Sequence, residues 1–385
     1  MKTILMIGVR RPCYQAARRL GHRVVLWGDG PLHESRKKSV DGVIEYPYSA
    51  CEAHLPEELL AEIRKYPIDV VIANTEEAVV IGARVRRALG FPSLAVDVVE
   101  RFHNKYLMKS CAREMGIPMT EFALIDPNST SDGLIEQLGL PLIIKPVDDS
   151  GARHVVLAKT TEEVSLSLVP GMLAERFIEG TELSVETMID GGRPIFHNIT
   201  EYLHQWKKSV APGGYSPSLR DKIIKLNDQI IEGFGVDRGM THAEFYLTPK
   251  GILFGEVAIR PPGGYYMNLI QNSYGFDPWE AYVQLSCRKK ILPLPERPTC
   301  ATGVYTIYPK SGRVSAISGI EEASRLPGVI DSKFRLQVGD WVEEHQATSN
   351  EKGHFIIEGI DRDVMVEVFD QIESMVHIEV ENPSK

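Results

Sequence analysis

Paired cysteines are missing from this chain. Its five cysteines, Cys13, Cys51, Cys111, Cys287 and Cys300, are scattered, with no Cys-x-x-Cys among them. That excludes a disulfide framework and a cysteine-based zinc site, and it favours a reducing cytoplasm. A basic block is missing too: the net charge is −9 with both signs interspersed, so neither nucleic acid nor a membrane surface is an expected partner. The opening Met-Lys-Thr-Ile-Leu-Met-Ile-Gly holds too short an apolar run for a signal peptide, and no segment approaches a membrane span. The turn Gly8-Val-Arg-Arg-Pro12 lacks the Gly-x-Gly-x-x-Gly spacing of a dinucleotide cradle. Internal repeats and low-complexity segments are absent as well. What remains is 385 residues, 43% hydrophobic, enough for two or three domains and an enzyme-sized core.

The first hundred residues alternate apolar runs with helical patterns, the mark of a parallel α/β sheet. Strands are expected at 3–8, 23–27, 43–46 and 69–73, and helices at 13–20, 56–65 and 77–89. The first strand–turn–helix either holds an anion at the helix N-terminus or simply connects sheet to helix. After a helix at 104–115 the pattern becomes α+β, with strands at 122–125, 140–146, 155–158, 172–177, 183–189 and 194–199. From about Cys300, short strands and a helix at 361–375 close the chain.

Two glutamates carry the strongest chemical signal. Thr241-His-Ala-Glu-Phe-Tyr-Leu-Thr runs into Pro249-Lys-Gly251 and returns as Ile252-Leu-Phe-Gly-Glu-Val-Ala-Ile259, which reads as a hairpin. Pairing Thr248 with Ile252 sets Glu244 opposite Glu256. Directly opposed like charges repel, so the pair calls for a cation between them. Mg²⁺ suits this, because it accepts a few carboxylates and completes its shell with water and substrate phosphates. Glu256, Ala258 and Arg260 share one strand face, which aims Arg260 at the same place, either to stabilise a transferring phosphoryl group or to pair with one of the glutamates. Gly263 and Gly264 then permit close backbone approach to a ligand.

Binding ATP on a sheet needs cations for its phosphates. Lys145 ends a buried strand just before Pro146 and either meets an anion or snorkels toward Asp148. Lys105 opens a helix behind Asn104 and alone reads as a solvated lysine. Ser150-Gly-Ala-Arg153 is either a phosphate-covering loop or a surface turn. In Glu175-Arg-Phe-Ile178-Glu-Gly-Thr-Glu182, main-chain groups can meet an adenine edge and Glu182 a ribose, although in isolation both glutamates read as ordinary exposed ones. Tyr202-Leu-His204-Gln-Trp-Lys207, with Tyr265 and Tyr266, reads as acceptor-pocket lining or as packing, with His204 and Glu201 as candidate bases for an amine proton.

Taken in order, Lys105, Lys145-Pro146 with its Ser-Gly-x-Arg loop, Glu175 and Glu182, then Glu244 and Glu256-x-x-x-Arg260 resemble the ATP-grasp superfamily. The Arg260-Pro-Pro-Gly-Gly264 ending is most similar to its carboxylate–amine ligases, including bacterial L-amino-acid ligases. The resemblance spans about residues 1–290 and implies an architecture of α/β and α+β parts. Its pieces are a Rossmann-like domain at 1–100, a two-part ATP-binding core at 101–180 (with the lid) and 181–298, and a small C-terminal α+β domain at 299–385. It further implies that Lys105 and Lys145 contact the α- and β-phosphates, and that Ser150, Gly151, Ala152 and Arg153 form the lid. Glu175 with Arg176, Phe177 and Ile178 would hold adenine, and Glu182 the ribose. Glu244 and Glu256 would bind Mg²⁺ or Mn²⁺, and Arg260 the phosphoryl group and acyl intermediate. His204, Gly263, Gly264 and Tyr265 would line the substrate pocket. Many members carry Asn where this chain has Ala258, and Gly where it has His154. The implied activity is ATP-dependent amide formation through an acyl phosphate, with a homodimer by analogy. The alternatives are a bicarbonate-activating carboxylase of the same superfamily and a non-catalytic nucleotide-binding regulator.

Overall fold

The computed structural model describes residues 1–345 and 347–381; the last four residues of the expected 299–385 unit and position 346 lie outside the described residues. Apolar runs buried on both faces build the first sheet, as a parallel sheet under helices requires. Its strands β1 (Thr3–Ile7), β2 (Arg23–Gly28), β3 (Gly42–Glu45) and β4 (Val70–Ala73) are all parallel, in the order β3-β2-β1-β4. The helix Arg11–Arg19 covers one side together with Pro278–Ser286, a helix from far along the chain; Cys13, Ala16, Val283 and Leu285 share one core.

A second sheet, antiparallel, has the order β5-β8-β6-β7, from β5 (Phe122–Leu124), β6 (Leu142–Pro146), β7 (Val156–Ala158) and β8 (Met172–Arg176). Residues 147–155 form the connection from β6 to β7.

The largest sheet has eight strands. Its first half holds β9 (Thr181–Asp190), β10 (Arg193–His204), β11 (Lys208–Ala211), β12 (Arg238–Thr248) and β13 (Gly251–Ala258), in the order β13-β12-β9-β10-β11. It continues through β14 (Ala301–Ile307), where β11 pairs with β14, and on through Gly353–Gly359 to Val329–Phe334. A helix not anticipated from the sequence, Pro217–Gly233, packs Ile223 and Ile230 into the core beneath β9 and β12. The helix Lys105–Glu114 shares that core through Met108 and Ala112. Asn104 starts it, its side chain accepting from the amides of Tyr106 and Leu107, which meets two of the orphan donors of the first turn.

Candidate active site

Glu244 and Glu256 do face each other across β12 and β13, by a different route from the one expected. The turn is tighter, so Thr248 pairs with Gly251 and Phe245 with Phe254. Continued evenly, that register would set Glu244 against Gly255 and turn Glu256 to the opposite face. A bulge at Gly255 absorbs the extra residue and restores the Glu244–Glu256 pair. Gly255 has little room for anything larger: a Cβ there would lie 3.0 Å from both the Glu244 carbonyl oxygen and the Tyr246 ring.

A third carboxylate joins them. Glu182 on β9 pairs with Tyr246, and Ser184 with Glu244, so Glu182 and Glu244 share a sheet face. Glu182 is half-buried, not exposed as its sequence context suggests. Burial, then the charges of Glu244 and Glu256, push its carboxyl up to about 9. Like charges this close favour the protonated form of one of them. Among the described residues no cluster of three or more His, Cys, Asp or Glu encloses a metal by itself. Two opposed carboxylates nonetheless fit a divalent ion that would draw its remaining ligands from water and nucleotide.

Lys145 does not pair with Asp148. Its Nζ lies 2.8 Å from Glu175 and 3.7 Å from Glu256. Glu175 is buried rather than exposed, and its other oxygen meets Lys109 Nζ at 2.7 Å. Burial would raise its pKa, but Lys109 and Lys145 outweigh that and hold it at about 2. The Glu175 carboxylate is thus engaged by two lysines. The main-chain edge there is also partly used: the Arg176 amide donates to Glu121, its carbonyl accepts from Thr120, and the Phe177 amide donates to Pro141. Ile178 follows just beyond the strand end. Lys105 is buried rather than solvated, with Nζ on the Asp149 carbonyl and its own amide on Val147 at 2.7 Å.

The 147–155 loop is tightly wound. Gly151, Ala152 and His154 have φ of 68°, 59° and 56°, conformations that non-glycine residues hold only under constraint. Arg153 bonds Asp149 at 2.6 Å, Glu77 at 3.1 Å and the Ser150 carbonyl at 3.1 Å, so its guanidinium is turned to neighbouring acids. The Gly151 carbonyl accepts from Thr348, which links the loop to the C-terminal region.

Arg260 pairs with neither Glu244 nor Glu256. Its Nε bonds Glu76 at 2.6 Å, and Glu76 also meets His103 at 3.1 Å. Burial would raise the Glu76 pKa, yet Arg260 and His103 keep it at about 2. Gly263 has open space beside it. Tyr265 turns toward the C-terminal region, bonding Glu351 at 3.1 Å and stacking on His354. Tyr266 instead lies beside Tyr202 on β10 and His242 on β12. His204 is exposed, and Glu201 is bonded by Arg362 at 2.8 Å.

Sequence reasoning missed several residues of the site. Lys109 follows Lys105 by one helical turn, a spacing that puts both on one helix face. His242 precedes Glu244 on the same face of β12; its Nδ1 lies 3.0 Å from Glu186 and its Nε2 3.4 Å from Glu244. Glu186 is wholly buried and also accepts from Ser184, Asn198 and Thr200. Burial works against a charged His242, but its hydrogen bonds to Glu186 and Glu244 win and raise it to about 9. Glu76 had no local signal at all.

Three family models match the chain: an ATP-grasp N-terminal domain over residues 14–93, an ATP-grasp domain over 103–264, and domain 2 of the L-amino acid ligase C-terminal region over 304–381. Among curated proteins, an L-arginine-specific L-amino acid ligase of Bacillus subtilis is 27% identical over 76% of this chain and 75% of its own length. The dapdiamide A synthase of Enterobacter agglomerans is 24% identical over 75% and 74%. The fold is similar to the crystal structure of an L-amino acid ligase from Bacillus licheniformis, with TM-score 0.84, 21% identity and 99% of each chain covered.

Proposed function

The chain belongs to the ATP-grasp superfamily and is a carboxylate–amine ligase, and we propose that it joins an amino acid to a second amino acid or an amine through an acyl phosphate. The observation that carries this reading is the gathering of Glu182, Glu244 and Glu256 on one sheet face, against Lys145 and beside Lys105 and the wound loop. The site is negative on one side and cationic on the other, which is the layout a metal-bound triphosphate requires.

In this reading a carboxylate oxygen of the first substrate attacks the γ-phosphorus of ATP, the bond to the β-phosphate oxygen breaks, and ADP leaves. Lys105 and Lys145 neutralise the phosphate oxygens, and the 147–155 loop closes over them, with Arg153 moving from Asp149 and Glu77 to the phosphate. Arg260 holds the phosphoryl oxygens, its side chain fixed by Glu76. The amine of the second substrate then attacks the acyl carbon, the carbon–oxygen bond to phosphate breaks, and the amine proton is released. Most of the rate comes from positioning and from keeping water away from the acyl phosphate. Glu182 accepts from the ribose, Glu175 fixes both lysines beside the adenine edge, and His204 with the Gly263-Gly264-Tyr265 turn borders the acceptor. Glu244 and Glu256 would hold Mg²⁺ or Mn²⁺, which would supply charge neutralisation to the nucleotide phosphates.

A cytoplasmic setting fits the five free cysteines and the need for ATP. No helix among the described residues is long and apolar enough to cross a membrane. The homodimer is part of the same reading and is checked by sedimentation.

The test is phosphate and ADP release across a panel of paired amino acids and amines, with mass analysis of products. Release should require both a carboxylate and an amine, and should fall at least a hundredfold in Glu256→Gln. Release driven by bicarbonate without an amine would overturn the reading. So would turnover equal in wild type and Glu256→Gln.

A further inference from the structure

The first sheet stops at β4, whose outer edge has no strand beside it among the described residues. In the largest sheet, β12 outruns β13: His242 with Ala258 is the last pair between them, so Arg238 to Thr241 lie past the end of β13. Residues of both edges line a cavity of about 270 Å³. Val71 of β4, Met240 of β12, Val99 and Ile259 give it apolar walls. Its size exceeds the roughly 150 Å³ of an engineered apolar cavity that admits benzene. The cavity also stands apart from the reacting groups. Glu244 follows Met240 by four residues along β12, about 13 Å at roughly 3.3 Å per residue. Neither Glu244 nor Glu182, Glu256, Lys145 or Arg260 lines the cavity.

One cation in the wall is uncompensated. Arg238 is paired with Asp190 at 2.5 Å, and Arg288 with Asp237 at 3.4 Å. Arg86, on the helix Val79–Ala88, lines the cavity and makes no ion pair among the described residues. Gly82, one turn earlier, lets that helix lie on β4: a Cβ there would stand 2.6 Å from Ala73 Cβ. The Arg86 guanidinium is thereby tucked against the sheet edge, where Nη1 donates to the Val71 carbonyl at 3.1 Å and Nε to Ser93 Oγ at 3.2 Å. Its Nη2, which carries two of the five N–H donors, bonds nothing among the described residues. Burial lowers the Arg86 pKa, and no carboxylate is among the groups that work against this. A charge held in an apolar wall without a counterion is best met by an anion.

We propose that this cavity binds a small carboxylate with an apolar side group, its oxygens on Arg86 and its hydrocarbon part against Val71, Val99 and Met240. One unpaired guanidinium matches one negative charge on the guest, and a carboxylate accepts its charge-assisted bonds well. Inorganic phosphate would leave the apolar walls unmet, and a neutral amide would leave the charge unmet. A guest here leaves the reacting groups uncovered, so it is bound in addition to the substrates. The proposal does not depend on the ligase reading.

The probe is 4-bromophenylacetate. Its bromine is located by anomalous scattering in soaked crystals of the full chain, and its affinity is read by isothermal titration in wild type, Arg86→Met and Ser286→Leu. Ser286 lines the cavity at the end of the helix Pro278–Ser286, so Leu there takes up space while Arg86 stays. The bromine should lie in the cavity, and both substitutions should weaken binding at that site at least tenfold. Where a second equivalent occupies the catalytic centre, it should persist in both variants. 4-Bromophenylacetamide and inorganic phosphate should each bind the cavity at least tenfold more weakly than the acid. Bromine found only beside Glu244 and Arg260, or nowhere, overturns the proposal and leaves the ligase reading untouched. Equal affinity of acid and amide also overturns it, as does cavity binding unchanged in Ser286→Leu. Should Arg86→Met fail to fold, Ser286→Leu and the bromine position decide alone.

Discussion

Replacing Glu182 with Gln should stabilise the protein free of metal and nucleotide, and more so as pH rises. In the folded chain its carboxyl is pushed up to about 9 from 4.5, by burial and then by Glu244 and Glu256. The fold therefore binds this proton more tightly than the unfolded chain does. Its contribution is fully present below the unfolded value of 4.5 and is lost as pH climbs toward 9. Each unit of difference is worth about 1.4 kcal/mol, so at pH 8 the upper bound is roughly 5 kcal/mol. Partial exposure of Glu182 screens this, and we take about 2 kcal/mol as the working figure. Gln keeps the shape and can still accept from Gln205, which bonds Glu182 at 3.1 Å. Thermal melts at pH 5 and pH 8 read the difference. Glu182→Gln should melt within a degree or so of wild type at pH 5, and roughly 4 °C or more above it at pH 8. Adding Mg²⁺ and ATP should narrow the gap, because a divalent ion beside Glu244 and Glu256 would favour the ionised Glu182 carboxylate. A gap that is absent at pH 8, or equal at the two pH values, would refute the reasoning.

Other consequences are sharper in one measurement each. Glu175→Ala leaves Lys109 and Lys145 facing each other, with Lys109 almost wholly buried, and should cost about 3–5 kcal/mol in urea unfolding. In wild type, stability from Glu175 is present above pH 4.5 and lost as pH falls toward 2; Glu175→Ala should lack that acid limb. Gly255→Val crowds the bulge and tips Glu256 off the shared face, so Mn²⁺ binding read by electron paramagnetic resonance should weaken at least tenfold while the melting temperature falls only a few degrees. Unchanged Mn²⁺ affinity would show that the bulge does not set the carboxylate pair.

The hairpin illustrates how far residue spacing carries and where it stops. Facing glutamates were legible because the turn residues Pro249 and Gly251 bound the loop and the β-rich runs are long. The bulge was not, since a glycine inside a strand signals one only when the opposing register is known. Helix-forming stretches with strong amphipathic period, such as Lys105–Glu114, were legible to within a residue. The pairing of Arg260 with Glu76 spans 184 positions and depends on the N-terminal sheet docking against the end of β13. Glu175 and Glu182 read as ordinary surface glutamates because their burial is created by neighbours on other strands. His242 was within reach, since it alternates with Glu244, but its value lies in Glu186, whose own surroundings come from β10.

The unbroken pairing of β11 with β14 means that the C-terminal region is no detachable appendage. Cutting the chain near residue 300 would strip the partner from Lys208–Ala211, where Val210 and Ala211 are wholly buried, and leave a bare, sticky template for neighbouring molecules. Shortened versions should precipitate, and grafts that vary this region between relatives should succeed only when the crossover falls in a surface turn beyond Ile307.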